Sequence, residues 1–176
     1  MKKSSHEQVK IHNTRLILRT IYNAETISRA EVARVTKLTP TTVSDLTEGL
    51  ISKGLVKEGA LGASIGGKPP ILLSVPSDAR MAIGIDLGDS EMRGALINLR
   101  GEKVYSEHLP ANLTGNAALE QVFALINLLL EHVEAEKLLG IGLGSPGLVS
   151  LDDGMVRRAV KYHWQEIPLK AILEEK

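Results

Sequence analysis

Residues 28–76 read SRAEVARVTKLTPTTVSDLTEGLISKGLVKEGALGASIGGKPPILLSVP, and this stretch decides the fold of the N-terminal part of the chain. Ser28 and Glu31 have the spacing of a capping box, which predicts the start of a short helix. A turn follows, and then Thr39 and Pro40 provide a side-chain cap and a suitable first residue for a second helix. The stretch therefore predicts two consecutive helices joined by a turn.

A predicted hairpin follows the two helices. Gly54 lies where a helix commonly ends in a left-handed residue, and residues 54–58 and 71–75 have the composition of two paired strands. A Gly-rich loop at residues 59–67 lies between them. Helix, turn, helix and hairpin together make a winged helix-turn-helix, which places its second helix in a DNA groove. The alternative is a small helical bundle with solvated polar faces, and the hairpin argues against it.

The second predicted helix has an apolar and a polar face. Val43, Leu46 and Leu50 recur at helical spacing and are expected to face the core. Short polar side chains at the start of the helix suit contacts with base edges and phosphates. A lysine in the hairpin loop suits a phosphate or the minor groove, and solubility is the alternative explanation for it. The candidate DNA-binding residues are Lys37, Thr39, Thr41, Thr42, Ser44, Asp45 and Lys68.

Composition and charge place the chain among globular proteins. It has 176 residues, 43% of them hydrophobic and 24% charged, with no cysteine and therefore no disulfide or thiolate metal site. Residues 1–80 carry 12 Lys and Arg against 7 Asp and Glu, whereas residues 81–176 carry 9 against 14. A basic half followed by an acidic half favours a nucleic-acid-binding module joined to another domain. Without a long apolar run in the sequence, we expect a cytoplasmic protein.

The pattern changes from helices to strands near residue 78. We therefore predict a DNA-binding domain at residues 1–77 and an α/β domain at residues 78–176. The second domain is expected to begin with an antiparallel meander, followed by a crossover helix and a buried strand parallel to the first. The predicted strands are residues 81–88, 93–99, 102–109 and 138–144, and the predicted helix is residues 119–134.

Short motifs along nearly the whole chain occur in one particular order. They are residues 28–33, 39–44, 54–56 and 67–69 in the first domain, residues 83–88, 94–97 and 142–149 in the second, and then Trp164 with residues 167–169. In this order they resemble the transcriptional regulators of the ROK family, which comprises repressors, uncharacterised reading frames and sugar kinases. The resemblance implies a mixed fold, α+β and then α/β. A winged helix-turn-helix is followed by a partial actin/hexokinase-like (ribonuclease H-like) α/β lobe.

The resemblance also implies a function. It implies a regulator, most simply a repressor of carbohydrate uptake or metabolism genes, that binds double-stranded operator DNA as a homodimer. In the family a sugar or sugar phosphate is the effector, and here one wall of its cleft would be Gly144, Ser145, Pro146 and Gly147. The alternative is a tight loop whose glycines only allow the turn. Because one wall replaces few of the hydrogen bonds that a sugar makes to water, we expect DNA binding that ignores sugars.

The first phosphate loop of the family's sugar kinases, Asp-x-Gly-Gly-Thr-Lys, is altered in this chain. Asp86 and Gly88 are present, but Asp89 and Glu91 would bring two carboxylates towards a polyphosphate, which is unfavourable. We interpret Asp86 and Gly88 as a vestigial phosphate loop and expect no catalytic residue, cofactor or metal site. The family's catalytic base, remaining sugar motif and zinc site are expected beyond Lys176. Two alternatives stay open, a sugar kinase with an accessory DNA-binding segment and a truncated, non-functional remnant.

Overall fold

The computed structural model of the chain describes residues 5–62 and 69–175. The chain divides into two compact units, Met1–Ala79 and Arg80–Lys176, which we call the N-terminal and the C-terminal unit. Within the described ranges, none of the helices has the length and apolar character of a membrane span.

In residues 5–62 and 69–79, the N-terminal unit combines three helices with a three-stranded antiparallel sheet. The hydrogen-bonded order of the strands is β1-β3-β2. We call the paired strands β2 and β3 the wing. The architecture is the winged helix-turn-helix that the sequence predicts. The elements are α1 (His6–Ala24), β1 (Ile27–Ser28), α2 (Arg29–Thr36), α3 (Pro40–Ser52), β2 (Lys57–Leu61) and β3 (Ile71–Ser74).

Local capping sets the ends of α2 and α3, and the predicted caps are confirmed. The Ser28 hydroxyl accepts a hydrogen bond from the backbone N–H of Glu31 at 3.2 Å, and the Glu31 carboxylate accepts one from the backbone N–H of Ser28 at 3.3 Å. The Thr39 hydroxyl accepts from the backbone N–H of Thr42 at 3.2 Å. Gly54 has a left-handed φ of 66°, as the sequence predicts for the residue that follows the helix.

The core of the N-terminal unit lies between the helices and β3. On α3 the buried side chains are Val43, Thr47 and Leu50, whereas the predicted core residue Leu46 is half-buried. Thr47 is fully buried, and its hydroxyl has no hydrogen-bond partner among the described residues. The other buried apolar side chains of the unit are Ile17, Ile21, Ile27, Val32, Val56, Leu73, Val75 and Ala79.

The described part of the C-terminal unit contains two sheets, two α-helices and a short 3-10 helix, Ala135–Lys137. A four-stranded sheet has the order β6-β5-β4-β7, in which β4, β5 and β6 form the predicted antiparallel meander and β7 runs parallel to β4. A second sheet has the antiparallel order β10-β9-β8. The elements are β4 (Met81–Leu87), β5 (Glu91–Asn98), β6 (Lys103–Pro110), α4 (Gly115–Leu130), β7 (Leu138–Gly144), β8 (Leu148–Ser150), β9 (Met155–Ala159), β10 (Trp164–Ile167) and α5 (Leu169–Glu175).

Helix α4 starts and ends four residues earlier than the sequence predicts. Tertiary hydrogen bonds hold its start, since Gly115 donates its N–H to the carbonyl of Tyr162 at 2.8 Å and accepts from the indole N–H of Trp164 at 2.9 Å. Ala118, which precedes the predicted start, lies on the buried face of the helix, whereas its last residue, Leu130, is exposed. The sequence-based prediction missed this start because its hydrogen-bond partners, Tyr162 and Trp164, lie about 50 residues away along the chain.

A glycine of β5 allows α4 to pack closely on the sheet. A Cβ atom at Gly94 would lie 2.5 Å from Cδ1 of Leu129 and 3.2 Å from Cγ of Leu125, which is closer than side chains approach. The buried residues on the helix side of the sheet include Ile83, Ile85, Leu87, Met92 and Leu96. Gly94 belongs to the motif at residues 94–97, and the close packing of α4 explains why this position is a glycine.

The prediction that β7 is buried is wrong. Within the described residues β7 pairs with β4 alone, at the edge of the sheet, and five of its seven residues are exposed. Leu139 is 64% exposed, and α4 packs over β5 and β6 rather than over β7. A cavity of about 1040 Å³, which we call the groove, lies against this edge. Its apolar lining includes Phe123, Ile126, Leu130, Ile141, Val149 and Leu151.

Candidate nucleic-acid interface

The turn between α2 and α3 presents a lysine in an uncommon conformation. Lys37 has φ 58° and ψ 23°, the left-handed region that few residues other than glycine adopt. Beside it, the Thr36 hydroxyl donates to the carbonyl of Val32 at 2.7 Å and accepts from the N–H of Leu38 at 3.4 Å. Lys37 is exposed, and its conformation directs the chain from one helix into the next.

The cap and the first two turns of α3 contain five of the predicted DNA-binding residues, Thr39, Thr41, Thr42, Ser44 and Asp45. Thr41, Ser44 and Asp45 are exposed, as expected for side chains that reach a partner. Thr42 is half-buried, and its hydroxyl lies 2.8 Å from the hydroxyl of Thr39, so both side chains take part in the helix cap. The structure thus separates three outward side chains from two that hold the end of the helix.

The start of α3 has the electrostatic character of an anion site. Unpaired backbone N–H groups and the helix dipole give a helix N-terminus a partial positive charge, which favours phosphate oxygens. Hydroxyls such as that of Ser44 donate and accept hydrogen bonds and suit any base edge. The Asp45 carboxylate only accepts, which suits the amino group of cytosine.

The N-terminus of α2 carries a charged capping residue. The pKa of Glu31 is lowered, first by the hydrogen bond from the Ser28 backbone N–H, then by the Ser28 hydroxyl and by the charge of Arg34. The carboxylate is therefore ionised at neutral pH and keeps both hydrogen bonds of the capping box. The cap therefore holds the start of α2 directly after β1, whose last residue is Ser28.

The wing carries charged residues, and one of them forms an ion pair with α2 that the sequence did not reveal. Lys68, the predicted phosphate contact, lies outside the described residues. On β2, Lys57 is exposed, and the Glu58 carboxylate accepts a hydrogen bond from the guanidinium of Arg29 at 2.7 Å. Arg29 and Glu58 are 29 residues apart, and no local pattern relates them, so the pairing is visible only in the fold.

The predicted ligand loop follows β7. Gly144 lies opposite Asp86 in the parallel pairing of β7 with β4. The Ser145 hydroxyl donates to the carbonyl of Pro146 at 3.3 Å. Gly147 has φ 93°, and a Cβ there would lie 2.0 Å from the carbonyl oxygen of Arg158. At Gly147 the need for glycine is thus explained by the packing of the loop on β9, without a ligand.

The vestigial phosphate loop follows β4. The Gly88 N–H donates to the carbonyl of Glu91 at 3.1 Å, and the Gly88 carbonyl accepts from the Tyr162 hydroxyl at 2.6 Å. A Cβ at Gly88 would lie 2.7 Å from the carbonyl oxygen of Glu91. Burial first, and then the charges of Asp89 and Asp86, raise the pKa of Tyr162. Gly88 is thus accounted for by the turn, and the loop is acidic. Within the described ranges, no three His, Asp or Glu side chains form a metal-binding group.

Family models match both parts of the chain. The model of the ROK family matches residues 82–176, more than half of the sequence, and a model described as winged helix-turn-helix DNA-binding matches residues 12–57. The chain belongs to the ROK family. The predicted resemblance is therefore confirmed, and the two matches follow one another along the chain in the predicted order.

Several curated ROK proteins are similar over almost the whole chain. A putative xylose repressor from Caldicellulosiruptor sp. (strain Rt8B.4) is 37% identical over 98% of this chain, and the xylose repressor of Bacillus subtilis (strain 168) is 31% identical over 96%. The DNA-binding transcriptional dual regulator NagC of Escherichia coli (strain K12) is 30% identical over 96%. The chain spans 44%, 44% and 42% of the lengths of these relatives, which is less than half.

A solved structure shows the same fold. It is a ROK family transcriptional regulator described as a homologue of the E. coli MLC protein, with a TM-score of 0.69 at 20% identity. The match covers 95% of this chain and 43% of that protein. The fold is thus a winged helix-turn-helix followed by part of an actin/hexokinase-like α/β lobe.

Proposed function

We propose that this chain is a sequence-specific DNA-binding transcriptional regulator, a repressor of carbohydrate uptake or metabolism genes. The observation that carries the proposal is the N-terminal part of α3, which is capped by Thr39 and presents Thr41, Ser44 and Asp45 outward. The repressor and regulator names of the relatives support the carbohydrate role. Binding of operator DNA by a homodimer would follow the usual use of this module. A cytoplasmic location belongs to the same proposal.

Within this proposal the predicted residues have different roles. Thr41, Ser44 and Asp45 contact base edges, and Lys37 and Lys68 contact phosphates. Thr39 and Thr42 hold the helix end and present its N–H groups, and Thr42 still has hydrogen-bonding capacity for a base. Thr42→Ala would remove a contact of the cap together with any base contact. Ser44→Ala is therefore the cleaner test of base reading.

A binding experiment on selected duplexes tests the proposal. Duplex DNA is selected from a random library with the full chain, and affinities for selected and random duplexes are compared at physiological salt. We expect the wild-type chain to prefer the selected duplex by at least about a thousandfold. Ser44→Ala should reduce that preference by roughly 1–3 kcal/mol at one base position. Equal affinity for selected and random DNA would refute a specific reader.

The left-handed conformation of Lys37 allows its charge to be separated from its role in the fold. Lys37→Gly suits the backbone angle of the turn and removes the ammonium group. We expect it to leave stability nearly unchanged, to weaken binding to all duplexes and to reduce the salt slope by about 1. Lys37→Arg, which keeps the charge, is the control. An unchanged salt slope in Lys37→Gly would exclude a phosphate contact.

A sugar kinase is the second candidate. Its support is Asp86, which is exposed at the end of β4 beside Gly144 of the parallel strand β7. Against it stands the Asp89 carboxylate, which repels a polyphosphate. The Glu91 carboxylate is paired with the guanidinium of Arg93 and adds less repulsion. We expect no ATP consumption above background with a panel of hexoses. Turnover that Asp86→Asn abolishes would reverse the choice between the two functions.

Sugar effectors are the remaining part of the proposal. A sugar or sugar phosphate at residues 144–147 would meet a loop in which the Ser145 hydroxyl is bonded to Pro146 and Gly147 packs on Arg158. Few hydrogen bonds are therefore offered to a ligand, and we expect DNA binding independent of sugars. Calorimetry with glucose, xylose, N-acetylglucosamine and their phosphates at millimolar concentration is the test. A saturable heat would contradict it.

A further inference from the structure

An acidic residue lies on the wing, the element that the proposed function places beside DNA. Glu58 of β2 would repel phosphates if its charge were free, because like charges near a polyanion reduce affinity. In the structure its carboxylate is not free, since the guanidinium of Arg29 donates to it at 2.7 Å. The side chains of Arg29 and Glu58 are 29% and 44% exposed, so the pair lies at the surface.

The pair connects two elements that the backbone joins only indirectly. Strand β1 pairs with β3, through Ser28 opposite Leu72, and β2 lies on the far side of β3. Arg29 is the first residue of α2, directly after the cap residue Ser28. The ion pair therefore ties the start of α2 to β2, the outer strand of the wing.

The register of the wing shows why such a connection matters. Glu58 is opposite Leu73, after which the pairing shifts, so that Leu61 is opposite Ile71. Glu58 is thus the last residue of β2 in regular pairing before the irregular part of the wing. An anchor at this position limits the directions that the described part of β2 can take, and such preorganisation reduces the ordering cost of binding.

We propose that Arg29 and Glu58 are positioning residues that hold the wing in a preset orientation relative to α2, so that the wing and α3 engage DNA together. This inference rests on the proposed function. An exposed ion pair contributes little to stability, so its effect is expected in DNA affinity and in the order of the wing rather than in the thermal midpoint.

The test compares Arg29→Gln, Glu58→Gln and the charge-swapped double variant Arg29→Glu/Glu58→Arg in the full chain. Affinity for the selected duplex is measured by fluorescence anisotropy from about 50 to 300 mM KCl. Amide exchange of residues 57–61 and 71–74 is measured without DNA. Arg157→Gln and Glu166→Gln are the matched controls, because this Arg–Glu pair of the C-terminal unit has a similar length of 2.6 Å and exposures of 45% and 56%.

We expect each single variant to bind the selected duplex roughly threefold to tenfold more weakly than wild type. Its backbone amide hydrogens in the wing should exchange faster. The double variant should recover both properties to within about twofold of wild type. The sign for Glu58→Gln is decisive, because simple removal of a negative charge near DNA would strengthen binding instead. The two controls should change neither DNA affinity nor exchange in the wing.

Three outcomes would overturn the inference. One is tighter binding by Glu58→Gln, and another is a reduced salt slope in Arg29→Gln without recovery in the double variant, which would make Arg29 a phosphate contact. The third is unchanged wing exchange in both single variants. Failure of the proposed function is recognised separately, because wild type itself would then bind selected and random duplexes equally.

Discussion

The two units of this chain treat their apolar residues differently. The N-terminal unit encloses a core between α1, α2, α3 and β3, with Ile17, Ile21, Val32, Val43 and Leu73 inaccessible to solvent. The C-terminal unit also has a buried core, under α4, but it leaves the groove beside β7 open. Leu151, which lines the groove, is 92% exposed.

The two units also differ in how the described residues protect the edges of their sheets. Every strand of the small sheet in the N-terminal unit is short, and its helices cover one face. In the larger sheet, the β6 edge carries Lys103, Glu107 and a terminal Pro110, which discourage pairing with another strand. The β7 edge, LLGIGLG, has no charge and no proline. An uncharged exposed edge is normally covered in a stable protein.

Matched isoleucine truncations should give the largest contrast between the units. Ile21 is fully buried in the N-terminal unit, whereas Ile141 lines the groove and is 41% exposed. We expect Ile21→Ala to cost about 2–5 kcal/mol and Ile141→Ala less than about 1 kcal/mol. Chemical denaturation, with amide exchange reporting on each unit, measures both. Equal losses would mean that the groove is closed in solution and would break the comparison.

A pair of glycine substitutions tests how tightly the loop after β7 packs on β9 in the C-terminal unit. Gly147 has a left-handed φ and no room for a Cβ, whereas Gly101, with φ 77°, has nothing within 4 Å of that position. Gly101→Ala should cost about 1 kcal/mol from the backbone alone. Gly147→Ala adds a backbone clash and should cost roughly 3 kcal/mol in total. Similar thermal midpoints for the two variants would contradict close packing of the loop on β9.

The buried hydroxyl of α3 offers a smaller effect in the N-terminal unit. Thr47 is fully buried without a partner among the described residues, whereas the Thr36 hydroxyl donates to Val32 at 2.7 Å. Thr47→Val removes an unpaired polar group and should stabilise the unit by about 1 kcal/mol. Thr36→Val should destabilise it by a similar amount. A loss of stability in Thr47→Val would reveal a partner for that hydroxyl in solution.

The smallest expected effect is a dependence on pH in each unit. The Glu31 pKa is lowered by its capping bonds, and the Asp153 pKa is lowered first by the Ser150 hydroxyl, then by the N–H of Met155 and by Arg157. A carboxyl group with a lowered folded pKa stabilises above its unfolded value, and the contribution is lost as pH falls through the folded value.

Thermal midpoints measured between about pH 2 and pH 7 for Glu31→Gln and Asp153→Asn check this expectation. Each variant should be less stable than wild type at neutral pH, and the difference should shrink in acid. In Glu31→Gln the loss should appear in the N-terminal unit, and in Asp153→Asn in the C-terminal unit. A constant difference across the range would show that these carboxylates do not contribute as ions.

Several features were predictable because their causes are local. The capping box at Ser28, the cap at Thr39 and the left-handed Gly54 each involve residues within four positions of one another, and the structure has all three. The antiparallel meander and the parallel return of β7 follow from strand order and connection length. The exposure of Thr41, Ser44 and Asp45 follows from helical periodicity, while their role in reading DNA stays a prediction.

Other features depend on residues far apart in the sequence, and these only the tertiary structure decided. Gly115 starts α4 because Tyr162 and Trp164 bond to it. An apolar run that reads as a buried strand lies at an exposed sheet edge because α4 packs over β5 and β6 instead. The contact between Arg29 and Glu58 likewise exists only once β2 lies near α2. Capping and periodicity act within one or two helical turns and can be read from the sequence, whereas burial and ion pairing depend on which distant elements the fold brings together.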